Sequence, residues 1–208
     1  MADPPLTFRR LVGLDRSAGP PPQTRRGEPL NPWTLPNAIG FLRLALVPLF
    51  LLVGLSSGDG HSGLAFALFA VIAWSDYFDG MAARITGQYS RLGALLDPLT
   101  DRLLVVSGAL VAWHYETLPR WALVVLAVRE LLMLSLTQLA LHRGIDLSVS
   151  MLGRWAVWPV MSALALALLT EGWVLDVILY VGLAMTLAAT ARYLQDGVRA
   201  LRKASTST

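Results

Sequence analysis

The sequence of 208 residues contains no cysteine, and this absence removes several kinds of chemistry from consideration. Without a thiol, the chain has no disulfide framework, no thiolate nucleophile and no cysteine-ligated zinc site. Histidine is scarce too: the three histidines are scattered along the chain and form no ligand motif. Charged residues make up only 15% of the sequence, which is few for a soluble domain.

Apolar residues take the place of the missing charge. They make up 55% of the sequence, and the mean hydropathy is +0.55. Such a composition predicts an integral membrane protein. The basic residues flank apolar stretches, so they indicate contact with a membrane surface and argue against nucleic acid as a partner. The first 32 residues are polar and proline-rich, so we expect no cleavable signal peptide there.

Six apolar stretches are each close to the ~20 residues that a helix needs to cross the hydrocarbon of a bilayer. They cover approximately residues 35–55, 63–84, 92–113, 120–141, 152–170 and 173–193. We therefore predict an all-α, polytopic membrane protein whose six transmembrane helices enclose a cytoplasm-facing polar cavity. The predicted membrane domain comprises residues 33–195, between a disordered or juxtamembrane N-terminal tail (1–32) and a basic C-terminal tail (196–208).

The distribution of basic residues predicts the orientation of these helices. Most arginines outside the apolar stretches, together with Lys203, fall on the side that also holds both termini. The opposite loops hold only Arg120. Because cytoplasmic loops carry the excess of basic residues, both termini and the loop between residues 84 and 91 are predicted to be cytoplasmic.

Four aspartates interrupt the apolar sequence between residues 76 and 101. Asp76 and Asp79 are three residues apart, and Asp97 and Asp101 are four apart, so on helices each pair lies on one face. The polar stretch TGQYSR between them lets the two helices fold back and bring the pairs together. Four converging carboxylates repel one another in apolar surroundings unless cations neutralise them, which predicts a divalent metal site.

The nature of the donors predicts the metal and the substrate. Carboxylate oxygens without nearby histidine or cysteine suit Mg²⁺, Mn²⁺ or Ca²⁺ better than zinc. Magnesium usually binds a few carboxylates together with substrate phosphates, so we expect a phosphate or pyrophosphate substrate. Two such ions can stabilise both the attacking and the leaving oxygen of a displacement. A carboxylate that stays partly free can accept a proton, and Asp101, the deepest of the four, is the predicted base.

Glycines and an arginine complete the acidic segment. Gly80 and Gly93 remove side chains where a flat or bulky group can approach the helices closely, and Arg84 offers a fork of donors to a phosphate or a base edge. The alternatives for an intramembrane acidic cluster are helix–helix hydrogen bonding and an ion pathway, as in an ion-coupled transporter. The acidic residues gather at one depth, and the last three spans continue no carboxylate path, which favours an enzyme.

One pattern in this segment resembles the signature of the CDP-alcohol phosphotransferase family at every fixed position: Asp76-x2-Asp79-Gly80-x2-Ala83-Arg84-x8-Gly93-x3-Asp97-x3-Asp101. Eight fixed residues over 26 positions make the resemblance specific, and it extends over roughly residues 33–195. It implies a homodimeric six-helix enzyme of a bacterial cytoplasmic membrane. Such an enzyme binds CDP-diacylglycerol, transfers its phosphatidyl group to an alcohol and releases CMP.

The resemblance also implies roles for the residues of the pattern. The implied metal ligands are Asp76, Asp79, Asp97 and Asp101, and Asp101 is in addition the catalytic base. The implied CDP-lipid-binding residues are Asp76, Asp79, Gly80, Ala83, Arg84 and Gly93. The implied cofactor is Mg²⁺ or Mn²⁺, with two ions bound.

The acceptor alcohol must be selected by residues outside the pattern, and the candidates are Asn37, Arg43, Arg129, Arg143, Arg154 and Arg192. Asn37 and Arg43 resemble the opening of bacterial phosphatidylglycerophosphate synthases and of related cardiolipin synthases, although Asn37 is equally suited to cap a helix. Arg129, beside Glu130, either anchors the acceptor phosphate or forms a structural ion pair. The last three arginines complete a phosphate pocket or extend to the membrane interface.

Two acceptors compete. Glycerol-3-phosphate is the first expectation and phosphatidylglycerol, which gives cardiolipin, is the second; inositol phosphate and serine are further alternatives. Gly153-Arg154-Trp155-Ala156 stands where phosphatidylglycerophosphate synthases carry a Gly-Lys-x-Lys-Thr type sequence, and it keeps only the glycine and one basic residue. The runs SRLGALLDPLTDR, LPRWAL and AVRE are similar to actinobacterial cardiolipin synthases.

Overall fold

The computed structural model describes residues 33–86, 90–143 and 151–206, and six helices make up most of that part of the chain. The helices are α1 (Leu35–Leu55), α2 (Gly63–Thr86), α3 (Arg91–Tyr115), α4 (Arg120–Arg143), α5 (Met151–Leu166) and α6 (Trp173–Thr206). The described residues contain no strand, which confirms the predicted all-α class. The predicted N-terminal tail, residues 1–32, lies outside the described residues.

The helix bounds agree with the predicted stretches to within about two residues for α1 to α4, and they differ at the other two helices. Helix α5 ends at Leu166, four residues early, because the chain then tightens into a turn in which the Leu168 N–H donates to the Ala165 carbonyl. Helix α6 continues to Thr206, well beyond the expected end near residue 193. The sequence VRALRKA consists largely of strong helix formers, so the helix propagates through much of the predicted C-terminal tail.

Among the described residues, two segments are long and apolar enough to cross a membrane by length and composition: Leu35–Leu55 and Trp173–Gln195. Shorter apolar segments occupy Gly63–Ser75 and Trp155–Leu166. Charged residues lie within the apolar sequence of the other helices, namely the aspartates of α2 and α3 and the Arg-Glu pair of α4. Composition therefore recovers only part of the six-span prediction.

The outer surface of the helices is strongly apolar. Trp113, Trp121, Trp155 and Trp173 are all exposed, and each lies at or near an end of its helix. Tryptophan at helix ends is typical of the interface between membrane and water. Large leucine and valine side chains are exposed between these ends, as expected of helices that face lipid.

The described residues pack into two compact units, each of which is described separately. The first unit contains residues 33–52, 67–86 and 90–104. Its core includes Phe50 and Phe69, whose rings meet edge to face with centroids 5.4 Å apart. One face of α1 is buried along its length at a spacing of three or four residues, by Asn37, Gly40, Arg43, Val47 and Phe50. This spacing is that of a single helical stripe.

The second unit contains residues 53–66, 105–143 and 151–206. Helix α6 packs against both α4 and α5 there. The contact with α5 is closest at Gly182: a Cβ atom built on this glycine comes within 2.8 Å of the Val160 main-chain nitrogen and 3.1 Å of Pro159 Cβ. Small residues allow this kind of close backbone approach between helices in membranes.

We predict that Gly182→Ala destabilises the protein. The added methyl group meets a main-chain nitrogen of α5 at 2.8 Å, which side-chain rotation does not relieve. We expect a loss of about 1–3 kcal/mol in the free energy of unfolding, as for other overpacked cores. The measurement is the midpoint of thermal unfolding of the purified protein in detergent.

The matched control is Gly63→Ala, because an added methyl group at Gly63 has no described atom within 4 Å. Its unfolding free energy should stay within about 0.5 kcal/mol of the parent. Equal midpoints for the two variants would show that α5 and α6 are not in close contact at Gly182.

Candidate active site

Helix α3 places Asp97 and Asp101 on one side, where both meet Arg43 of α1. Arg43 Nη2 donates to Asp101 Oδ1 at 2.8 Å, and Arg43 Nη1 lies 3.9 Å from Asp97 Oδ1. The guanidinium is 1% exposed, whereas the two carboxylates are 45% and 46% exposed. The four-residue spacing thus brings the carboxylates together as predicted, and it does so around a buried cation.

The three side chains of this group carry a net negative charge when they are ionised, because one guanidinium faces two carboxylates. Burial of ionised groups costs several kcal/mol each unless opposite charges and hydrogen bonds compensate it. The carboxylates are about half exposed, so a further cation can reach them from outside.

The donor set fits a divalent cation of the magnesium type. Asp97 and Asp101 offer hard oxygen atoms, an excess of negative charge and access from outside, and these are the features that Mg²⁺ and Mn²⁺ require. Among the side chains that the structure describes, no group of three or more histidine, aspartate or glutamate residues forms a metal site. The side chains of Asp76 and Asp79 lie outside the described ones, so the four-aspartate site remains a prediction.

The remaining residues of the signature lie mostly on α2. Asp76, Asp79, Gly80, Ala83 and Arg84 all fall within its helical backbone, and their side chains are outside the described set. Their proposed contacts with metal and CDP-lipid consequently stay predictions.

Ser90 is a site residue that the sequence analysis missed. It precedes the first residue of α3, and its Oγ accepts a hydrogen bond from the Gly93 N–H at 2.9 Å, as a helix cap does. The same hydroxyl donates to Asn37 Oδ1 at 2.7 Å, and both side chains are buried. A serine directly before a helix is a recognisable cap signal, and it was available in the sequence.

Asn37 does not cap α1, which was one of the two roles considered for it. Thr34 caps α1 instead, since Thr34 Oγ1 accepts the Asn37 N–H at 3.3 Å. The Asn37 side chain is fully buried and accepts from Ser90, so it joins the start of α1 to the start of α3. Acceptor binding by Asn37 remains untested.

Gly93 lies at the same junction. A Cβ atom at this position comes within 2.8 Å of Asn37 Oδ1 and 3.1 Å of Ser90 Oγ. The absence of a side chain at Gly93 therefore has a packing reason within the protein, in addition to the nucleotide contact that the sequence predicts.

Arg129 lies in the second unit and displays the structural pairing that was one of its two alternatives. Its Nη1 contacts Glu130 Oε1, and its Nε donates to Thr190 Oγ1 of α6 at 3.0 Å. The side chains of Arg129 and Glu130 are about nine-tenths buried. Arg192 is exposed on α6, and the side chains of Arg143 and Arg154 lie outside the described ones.

Comparison with known proteins identifies the family. Residues 33–188 match the CDP-alcohol phosphatidyltransferase family. The chain is 36% identical to a protein of Streptomyces coelicolor named "Cardiolipin synthase (CMP-forming)", over 79% of this chain and 80% of that protein. It is 38% identical to a "Putative cardiolipin synthase" of Mycobacterium tuberculosis, over 62% of this chain and 61% of that protein.

A relative with a different printed activity is also similar. The chain is 29% identical to a Bacillus subtilis protein named "CDP-diacylglycerol--glycerol-3-phosphate 3-phosphatidyltransferase", over 66% of this chain and 77% of that protein. The family match covers well over half of the sequence and includes α1 to α5 entire. The chain therefore belongs to the CDP-alcohol phosphatidyltransferase family and is a transferase of phosphate-containing groups.

Proposed function

We propose that the protein transfers the phosphatidyl group of CDP-diacylglycerol to phosphatidylglycerol, with release of CMP, and so synthesises cardiolipin. The observation that carries the proposal is the pair of accessible carboxylates, Asp97 and Asp101, which end the family signature and are held by Arg43. This pair has the oxygen donors and the excess negative charge that a metal-assisted displacement at a pyrophosphate requires.

The relatives support phosphatidylglycerol as the first acceptor, which reverses the order that the sequence favours. The Streptomyces coelicolor relative, named as a CMP-forming cardiolipin synthase, matches most of both chains. The stretch Gly153-Arg154-Trp155-Ala156 also lacks the second basic residue of the phosphatidylglycerophosphate synthase pattern. Glycerol-3-phosphate is the second candidate, and the Bacillus subtilis relative favours it.

The proposed setting is a bacterial cytoplasmic membrane. All six helices cross it, both termini and the active site face the cytoplasm, and the active form is a homodimer. The apolar outer surface and the tryptophans at helix ends support membrane insertion. The arginine distribution supports the orientation. Charged residues inside a bilayer usually have a function, so the aspartates on α2 and α3 are consistent with an active site within the membrane.

In the proposed mechanism, Asp76, Asp79, Asp97 and Asp101 would hold two Mg²⁺ or Mn²⁺ ions. These ions, when bound, supply positive charge that stabilises the attacking and leaving oxygens. Asp101 accepts the proton of the acceptor hydroxyl. The acceptor oxygen forms a bond to the lipid-side phosphorus, and the bond from that phosphorus to the bridging oxygen of CMP breaks. Arg84 donates to the nucleotide phosphate, and the proton passes from Asp101 to solvent.

The acceptor assignment predicts the products of a direct assay. Purified protein, Mg²⁺ and labelled CDP-diacylglycerol are offered phosphatidylglycerol, glycerol-3-phosphate, inositol phosphate or serine separately, and the lipids are resolved by chromatography. We expect CMP and cardiolipin with phosphatidylglycerol, and no turnover in EDTA. Phosphatidylglycerophosphate as the main product would overturn the acceptor assignment alone. Ion flux in vesicles without CMP formation would favour a transporter.

The assignment of the base predicts that Asp101→Asn lowers kcat by about 10²-fold or more, since an amide does not accept the proton. Metal-dependent binding of CDP-diacylglycerol should be largely retained, because three aspartates remain. The control is Asp59→Asn, which removes an exposed carboxylate in the loop between α1 and α2. Turnover of Asp101→Asn close to that of this control would remove Asp101 from the role of base.

A further inference from the structure

We infer that Arg43 is a positioning residue, which acts as an internal counter-ion for Asp97 and Asp101 and holds Asp101 in its reactive orientation. The inference rests on the proposed function in assigning the base to Asp101. It replaces the sequence-based expectation that Arg43 binds the acceptor. The observations behind it are the burial of the guanidinium, its contacts and the way in which α1 is fixed to α3.

Burial argues against acceptor binding by Arg43. The side chain is 1% exposed, and it lies in the buried stripe of α1 between Gly40 and Val47. An acceptor headgroup has no surface of this guanidinium to bind, whereas the carboxylates beside it are almost half exposed. A buried guanidinium is stable only when carboxylates compensate its charge, so Arg43 and the aspartates depend on one another.

The contacts of Arg43 are suited to holding the Asp101 carboxylate in one orientation. The 2.8 Å bond between Arg43 Nη2 and Asp101 Oδ1 is a charge-assisted hydrogen bond, which restricts rotation of the carboxylate. The 3.9 Å separation between Arg43 Nη1 and Asp97 Oδ1 is longer than a hydrogen bond, but the charges still attract each other strongly at this distance. Arg43 therefore fixes Asp101 directly and steadies Asp97 electrostatically.

A second contact keeps α1 in register with α3. Asn37 precedes Arg43 by six residues, and its buried side chain binds the Ser90 hydroxyl that caps α3. Between these points, Leu96 of α3 lies 3.8 Å from the position of a Cβ atom on Gly40. Contacts thus advance along both helices in the same direction, so the two helices run side by side with Arg43 level with the aspartates.

The first test measures stability, without any substrate. Arg43→Met, Arg43→Lys and the parent protein are unfolded thermally in detergent, in EDTA and in excess Mn²⁺. We expect Arg43→Met to unfold at least about 5 °C below the parent in EDTA, because two carboxylates lose a buried cation that lies beside them. Mn²⁺ should raise its midpoint more than that of the parent, since added metal replaces the missing charge. Arg43→Lys should recover part of the loss.

Two comparisons make the stability test specific. Arg120→Met removes an exposed arginine and should leave both midpoints unchanged. Arg43→Met should cost less in the background of Asp101→Asn than in the parent, because the partner is already absent. Equal losses in EDTA and Mn²⁺, with no dependence on the Asp101 background, would overturn the inference. If Arg43→Met does not fold, Arg43→Lys carries the same comparisons.

The second test separates kcat from KM. With Mg²⁺ in excess, Arg43→Lys should lower kcat by about 10-fold or more and change the KM for phosphatidylglycerol by less than about 3-fold, since misplacement of a base affects the transition state. A large rise in the acceptor KM with an unchanged kcat would instead identify Arg43 as an acceptor-binding residue. If the parent uses no phosphatidylglycerol, the proposed function fails, and the stability test still decides the role of Arg43.

Discussion

Ionised aspartates on an apolar helix persist only where positive charge lies within a few ångströms of them, and this constraint organises the first unit. Helix α1 satisfies this constraint with one buried arginine, Arg43, which forms ion pairs with Asp97 and Asp101. The two carboxylates are almost half exposed, so each also faces solvent. Structural stability and the proposed metal binding therefore depend on the same pair of aspartates, which hold a buried arginine on one side and are open to solvent on the other.

Local sequence predicts part of this arrangement and cannot predict the rest. The helical class and the shared face of Asp97 and Asp101 follow from spacing, because a four-residue interval on a helix needs no tertiary information. The partner of Asp101 lies 58 residues away, and its identity depends on the register between α1 and α3. That register depends on the hydrogen bond between Asn37 and Ser90 and on the lack of a side chain at Gly93. Of these three residues, only Ser90 can be recognised from the local sequence, as a helix cap.

The second unit compensates charge in a different way. Arg129 and Glu130 are consecutive on α4, and consecutive residues on a helix do not normally face each other. Thr190 of α6 supplies the additional acceptor for the Arg129 Nε–H and joins the two helices.

The close approach at Gly93 changes how genetic data on the signature glycines should be interpreted. A methyl group there comes within 2.8 Å of Asn37 Oδ1 and 3.1 Å of Ser90 Oγ, the two atoms whose hydrogen bond joins the starts of α1 and α3. Loss of activity on substitution of Gly93 would therefore not by itself identify a nucleotide contact, because the added side chain also crowds the junction between α1 and α3.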